Sequence, residues 1–395
     1  MTMRLLWRLG CGTLMTGMVF IAQSGRGQNY YHSLRSAPPA TEGPQNTNQI
    51  SEGLKPLLDK LVSADTFSGV VAVSKNGNLL FAQAYGLADQ STRTPVTLDT
   101  KFVIASVTQT FTAVAVSQLV EQGKLSFSKP LSEYLPNYPS ETAKQLTIHQ
   151  LLTHTGGVSS VARSKAFRQA PTNFKTLKDY LTFVESQPLT RSDHNYEYTD
   201  GDCVVLGALI EQVSGQSYYD YVRTHLFRIT QMNDTGFDLL PRPTKMAIGY
   251  TSRDLGEVSL SSSKGMHDNQ AILPTKAGPG FGAYSTAGDL LHYGQALLQH
   301  RLLSESGTES VLSGKVDTGE TGAHQRYAYG FFDGQVGTTR VVNHGGTGPG
   351  IDVGFDLYPQ LGYVVVIMSN YDPPAAQQIR DELRLRIAAQ TQPPK

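Results

Sequence analysis

The stretch Phe102-Val103-Ile104-Ala105-Ser106-Val107-Thr108-Gln109-Thr110-Phe111-Thr112-Ala113 decides how the rest of the chain is read. It has the look of a helix opening, with Ser106 at the start and residue 109 one turn later on the same side. A serine at a helix start is ordinarily an N-cap, its oxygen accepting from a backbone N–H. The same place sets the hydroxyl beside the positive end of the helix dipole, where a nucleophile is served well. Gln109 can donate and accept hydrogen bonds, but it neither titrates nor carries charge.

Two further short segments stand downstream: Tyr198-Thr199-Asp200 and His344-Gly345-Gly346-Thr347-Gly348. Between and around them lie Leu151-Leu152-Thr153-His154-Thr155-Gly156-Gly157 and Tyr284-Ser285-Thr286-Ala287-Gly288-Asp289-Leu290. In this order the three segments resemble the Ser-x-x-Lys, Tyr-x-Asn and His-x-Gly elements of class C β-lactamase-like serine hydrolases. That penicillin-binding-protein-like family includes D,D-peptidases and esterases. The resemblance covers roughly Leu54 to Ala388 and departs at two positions, Gln109 for lysine and Asp200 for asparagine.

The resemblance implies a secreted serine hydrolase in which Ser106 attacks an ester or amide and passes through an acyl-enzyme. Tyr198 or His344 would manage protons. The backbone N–H groups of Ser106 and Thr347 would form an oxyanion hole that needs no particular side chain. Gln109, Asp200, Gly345 and Gly346 would line the site, and the glycines after His344 suit a close backbone approach. A positioned general base is worth ~10²–10⁴ in rate, so loss of the lysine predicts weakened or altered catalysis. An anion at Asp200 would raise the Tyr198 pKa. Gln109 and Asp200 are also expected to touch, an amide donating to a carboxylate, with unconnected drift as the alternative. A family member without turnover, binding a ligand or a partner, is the rival reading.

The order of patterns sets the fold expectation. Ile50, Leu54, Leu57, Leu58, Leu61 and Val62 recur at helical spacing. Phe67–Val73 and Leu79–Tyr85 read as strands joined at Asn76-Gly77, a strong hairpin signal. Residues 126–276 alternate short helices with loops; Thr147 and Gln150 have capping-box spacing, and Val204–Val213 reads as an apolar helix. Helix-start chemistry recurs at Thr286. Tyr329–Phe332, Thr339–Asn343, Val353–Tyr358 and Tyr363–Met368 read as strands, and Ala375–Ala389 as a closing helix. The expected fold is mixed, α+β or α/β: a β-lactamase/transpeptidase-like, five-stranded type of antiparallel sheet flanked by helices, with a mainly helical insertion at 126–276.

Residues 1–24 read as a signal peptide, with Arg4 and Arg8 before an apolar run and a small-x-small site at Ala22-Gln23-Ser24. Residues 25–48 read as a flexible linker and 49–390 as the hydrolase domain. A secreted or periplasmic location follows, with no membrane span once the signal is removed. The substrate class is a small-molecule or peptidoglycan-like ester or amide. The 395 residues carry a formal net charge of zero and no basic stripe, which argues against nucleic acid. The ten histidines show no zinc spacing, so neither a metal nor a cofactor is implied. Cys203 is expected to be a buried thiol. His154 is expected to pack a turn, and Asp352 and Asp356 to face solvent. Sequence alone sets no oligomeric state.

Overall fold

The computed structural model describes residues 41–42, 53–190, 193–253, 255, 265–319 and 325–390. The proposed signal peptide lies outside them, as does all of the proposed linker except Thr41–Glu42, which pairs with Ala84 and Gln83 at the sheet edge. No helix among the described residues is long and apolar enough to cross a membrane.

Helix α1 (Leu54–Ser63) leads into strands β1 (Gly69–Lys75) and β2 (Asn78–Tyr85). Asn76 and Gly77 both have positive φ, 49° and 84°, as a tight hairpin turn of this hand requires. Helix α2 (Thr108–Glu121) follows a 3₁₀ turn at Ala105–Val107. The region 126–276 contributes mainly helices, among them α3 (Ile148–Leu152), α4 (Leu177–Glu185) and α5 (Gly201–Ser214). Helix α6 (Ala287–Leu298) returns the chain to strands β3 (Phe332–Val336), β4 (Thr339–Gly348), β5 (Ile351–Tyr358) and β6 (Tyr363–Ser369), and α7 (Gln377–Ala389) closes it. The helix starts behave as their sequences demand: Thr147 and Gln150 form a capping box, and Thr286 accepts from the Asp289 amide.

Five long strands form the centre of one antiparallel sheet in the order β2-β1-β6-β5-β4, with β3 and short two-residue strands extending its edges. Strand β6 explains its own continuous apolar run. Val364, Val366 and Met368 join the core that holds α2 and α6, whereas Val365 and Ile367 join the core under α1 and α7. Both faces are covered, so alternation with polar residues is not required.

Two strand boundaries differ from expectation. Tyr329–Phe332 does not run as a strand, because Gly330 turns at φ 73° and the Ala328 amide donates to the Phe331 carbonyl at 2.7 Å. Strand β4 continues past Asn343 to Gly348, its glycines pairing with β5 as Gly345–Gly354 and Gly346–Val353.

Asp352 and Asp356 correct a second expectation, since both are buried. The Asp352 carboxylate accepts from the Ala376 amide at 2.8 Å. Asp356 accepts from Arg380 Nε at 2.8 Å and Arg384 Nε at 2.7 Å, and Arg380 also donates to Asn343, one residue before His344. Burial opposes the Asp356 charge, but the two guanidiniums win and hold its pKa near about 2. Asp356→Ala leaves two partly buried cations without their anion and should destabilise the fold by up to ~3–5 kcal/mol in denaturant unfolding. In the parent, the unfolded carboxyl titrates near ~3.9. The Asp356 contribution is therefore complete above that pH and is lost as pH falls through about 2. Acidifying from about pH 4 to about pH 2 should therefore cost the parent more stability than it costs Asp356→Ala, which lacks this titration.

Candidate active site

Ser106 sits in the 3₁₀ turn that feeds α2, so it starts a helix as expected, but through a tightened turn. The preceding Ala105 has φ 42°, a left-handed conformation that costs a residue with a Cβ about 1 kcal/mol or more. Surrounding bonds enforce it. The Thr108 hydroxyl donates to the Ala105 carbonyl at 2.6 Å, and the Gly282 amide donates to the same oxygen at 3.2 Å. Helix α2 is buried along almost its whole length, from Thr108 to Leu119, so the turn is anchored in the core.

Strand β4 forms the next wall. Strand β3 pairs with it only as far as Asn343, and beyond that point β4 borders the Ser106 turn. The approach is so close that a Cβ on Gly346 would lie 2.1 Å from the Ile104 carbonyl oxygen, which only glycine avoids. Thr347 follows, exposed and opposite Asp352 of β5. Sequence reasoning read the glycines as a close approach, and the packing of β4 on this turn is that approach.

Tyr198 arrives on the loop before α5. Its hydroxyl accepts from Gln109 Nε2 at 2.8 Å. Burial pushes its pKa well up, the hydrogen bond with Ser106 pulls it partly back, and Asp200 adds a further upward push. The ring packs against His154, with centroids 4.8 Å apart, and against His344 at 6.2 Å. Ser106, Gln109 and Tyr198 are thus brought together.

His344 is 1% exposed. Its Nδ1 lies 2.7 Å from the Gly345 carbonyl oxygen. A carbonyl only accepts, so Nδ1 carries the proton and Nε2 keeps a lone pair. That Nε2 is buried with no hydrogen-bond partner among the described residues. Burial lowers the His344 pKa to about 4. It is therefore neutral at pH 7, an acceptor and weak base rather than a cation.

Asp200 does not meet Gln109. It accepts from the Ser160 hydroxyl and from the amides of Val161 at 3.0 Å and Ala162 at 3.2 Å. The expected amide–carboxylate exchange is replaced by a carboxylate that ties the 160–162 loop under the Tyr198 segment. Burial raises its pKa against those hydrogen bonds. The Arg163 guanidinium, from the same loop, donates to the Tyr198 carbonyl.

Gln109 finds other company. Its Oε1 lies 3.0 Å from His154 Nε2 and 3.3 Å from the Tyr327 hydroxyl. His154 Nδ1 lies 3.2 Å from Asp202 Oδ2. Sequence reasoning placed His154 in a structural turn; it does turn there, with φ 54°, but its ring reaches the site. Asp202, two residues past Asp200, offered one signal, and Tyr327 offered none. Cys203 is buried and free, as expected. Among the described residues no group of three or more His, Cys, Asp or Glu could hold a metal.

A profile of the Beta-lactamase family matches residues 54–390. The chain belongs to the Beta-lactamase family. It is 27% identical over 315 residues to the teichoic acid D-alanine hydrolase of Staphylococcus aureus, covering 79% of this chain and 72% of that one. It is 29% identical to a penicillin-binding protein from Bacillus halodurans, covering 84% and 99% of the two chains with a TM-score of 0.71. D-amino acid amidase from Ochrobactrum anthropi, solved with D-phenylalanine, shares the fold at 21% identity, with a TM-score of 0.76 and coverage of 87% and 100%.

Proposed function

We propose that this protein is a serine hydrolase acting outside the cytoplasm on a D-aminoacyl ester or amide, through an acyl-enzyme on Ser106. The observation that carries the reading is the contact set around the serine: a strained, core-anchored turn, a buried phenol tied to Gln109, and a glycine strand pressed against the same turn. The signal-like N-terminus supports the location, and a teichoic acid D-alanine hydrolase and a D-amino acid amidase among the relatives support the substrate class.

In the proposed reaction Ser106 Oγ attacks the carbonyl carbon, and the oxyanion rests on the Ser106 and Thr347 amides. The raised Tyr198 pKa disfavours a phenolate base. The phenol instead works as a relay: its oxygen takes the serine proton while its own proton goes to the departing alcohol or amine. The C–O or C–N bond of the substrate breaks as the Ser106 ester forms. Water then attacks that ester, giving up a proton through the same phenol, and restores the serine hydroxyl. Neither Gln109 nor neutral His344 offers a cation for a substrate carboxylate. That favours a compact aminoacyl group over a β-lactam or a peptide C-terminus.

The test is a panel of D-alanyl, L-alanyl and N-acetyl-D-alanyl esters with the mature protein. D-alanyl esters should turn over fastest; equal rates for all three, or none for any, would refute the substrate assignment. A second reading, a cleft that binds such a group without turnover, is favoured by the same raised Tyr198 pKa.

A further inference from the structure

We propose that His154 and Asp202 hold one proton between Nδ1 and Oδ2 while a second sits on His154 Nε2, and that this arrangement, passed through the Gln109 amide, leaves the Tyr198 proton free for the leaving group. The two are positioning residues, not catalytic ones: neither is placed against substrate.

Three atoms meet at one point: Gln109 Oε1, His154 Nε2 and the Tyr327 hydroxyl, with separations of 3.0, 3.0 and 3.3 Å. Gln109 Oε1 has lone pairs only, because Nε2 of the same amide is spent on Tyr198. A bare His154 Nε2 would face it lone pair to lone pair at 3.0 Å, and the one proton of Tyr327 cannot relieve both acceptors. A proton on Nε2 removes the conflict. Nδ1 is then either an acceptor or part of an imidazolium, and Asp202 Oδ2 at 3.2 Å must share a proton with it in both cases.

The surroundings decide where that proton spends its time. His154 and Asp202 are 1% and 0% exposed. Burial, then His344 and Arg163, push the His154 pKa down to about 3. Burial pushes Asp202 well up; the Val158 amide favours the charged form, but Asp200 and Glu197 disfavour it. Asp202 Oδ1 has no hydrogen-bond partner among the described residues, tolerable for an acid carbonyl and costly for a carboxylate. The pair is therefore a neutral imidazole accepting from a carboxylic acid, titrating as one unit.

The consequence follows along the chain. The neutral pair fixes Gln109 with Oε1 toward His154 and Nε2 toward Tyr198, so the phenol oxygen accepts and its proton is not consumed. In the opposite state, with Asp202 ionised and Nε2 bare, the amide turns over. Tyr198 would then donate to Oε1 and have no proton for a departing group. This last consequence rests on the proposed reaction; the proton placement does not.

The experiment is nitrogen-15 NMR of histidine-labelled full-length protein at pH 7, with His154 assigned by His154→Gln. Proton placement is read whether or not the protein turns anything over. His154 protonated on Nε2 and hydrogen-bonded at Nδ1 is the expected result; an Nδ1–H, bare-Nε2 tautomer overturns the proposal. The second readout is Asp202→Leu, which removes the acid while keeping the branch at Cγ and the number of side-chain heavy atoms. Its kcat should fall at least tenfold more for an alkyl ester, whose leaving group needs a proton, than for a nitrophenyl ester, with KM unchanged. Equal losses on both esters would mean a structural role only, and would overturn the proton-directing one.

Discussion

Tyr198→Phe should slow acylation of Ser106 by an alkyl ester by ~10²–10⁴, the worth of a positioned proton-transfer group. The substitution removes one oxygen and little volume. The ring contacts with His154, His344 and Phe332 persist. What is lost is the acceptor of the Gln109 Nε2 hydrogen bond and the route for the serine proton. Leaving a buried amide donor unpaired should cost ~1–3 kcal/mol of stability, so the variant should still fold. Rapid-quench measurement of the first turnover separates acylation from later steps. A change below threefold would remove Tyr198 from the reaction, leaving the unpaired His344 Nε2 to be tested.

Gln109→Lys should have the second-largest effect, and in the opposite direction. An ammonium at this position would lie one turn from Ser106, within reach of the phenol that Gln109 now contacts at 2.8 Å. A cation there stabilises phenolate and lowers the Tyr198 pKa. It also converts the relay into a base, so acylation near pH 7 should rise by ~10²-fold. The cation must be held in a buried place, with loss of the amide oxygen that now faces His154, and a fall in thermal stability is expected alongside. His154 can accept from the new ammonium only through a bare Nε2, so its tautomer should switch. No gain of rate in a folded Gln109→Lys protein would mean that the cleft differs from an active one in more than its missing charge.

How much of this was legible beforehand depends on the kind of contact. Strands β1, β2, β5 and β6 and the helices around them follow from local pattern, the strands as short apolar runs and the helices as apolar positions at helical spacing. The run through Gly345 and Gly346 was legible as a close approach, yet its continuation as strand was not, since glycine has no β preference of its own. Ser106 and Tyr198 were found through motif spacing. Asp200 was misplaced because spacing fixes where a backbone passes, not which amides a short side chain will find; here they were those of Val161 and Ala162. The same limit hid the environment of Gln109. His154 and Tyr327 reach it across 45 and 218 residues of chain, through packing that no local pattern encodes. Asp352 and Asp356 alternate with apolar neighbours as an exposed face would; Asp356 is buried because Arg380 and Arg384 on the closing helix neutralise it, and Asp352 because it accepts from the Ala376 amide.

Ser106 should still form an acyl-enzyme although residue 109 cannot be its base. Intact mass measurement of the protein after brief exposure to a D-alanyl ester or a fluorophosphonate tests it most directly. A single adduct is expected, mapping to the peptide that contains Ser106 and absent from Ser106→Ala. No adduct at high probe concentration, or an adduct that persists in Ser106→Ala, would contradict it.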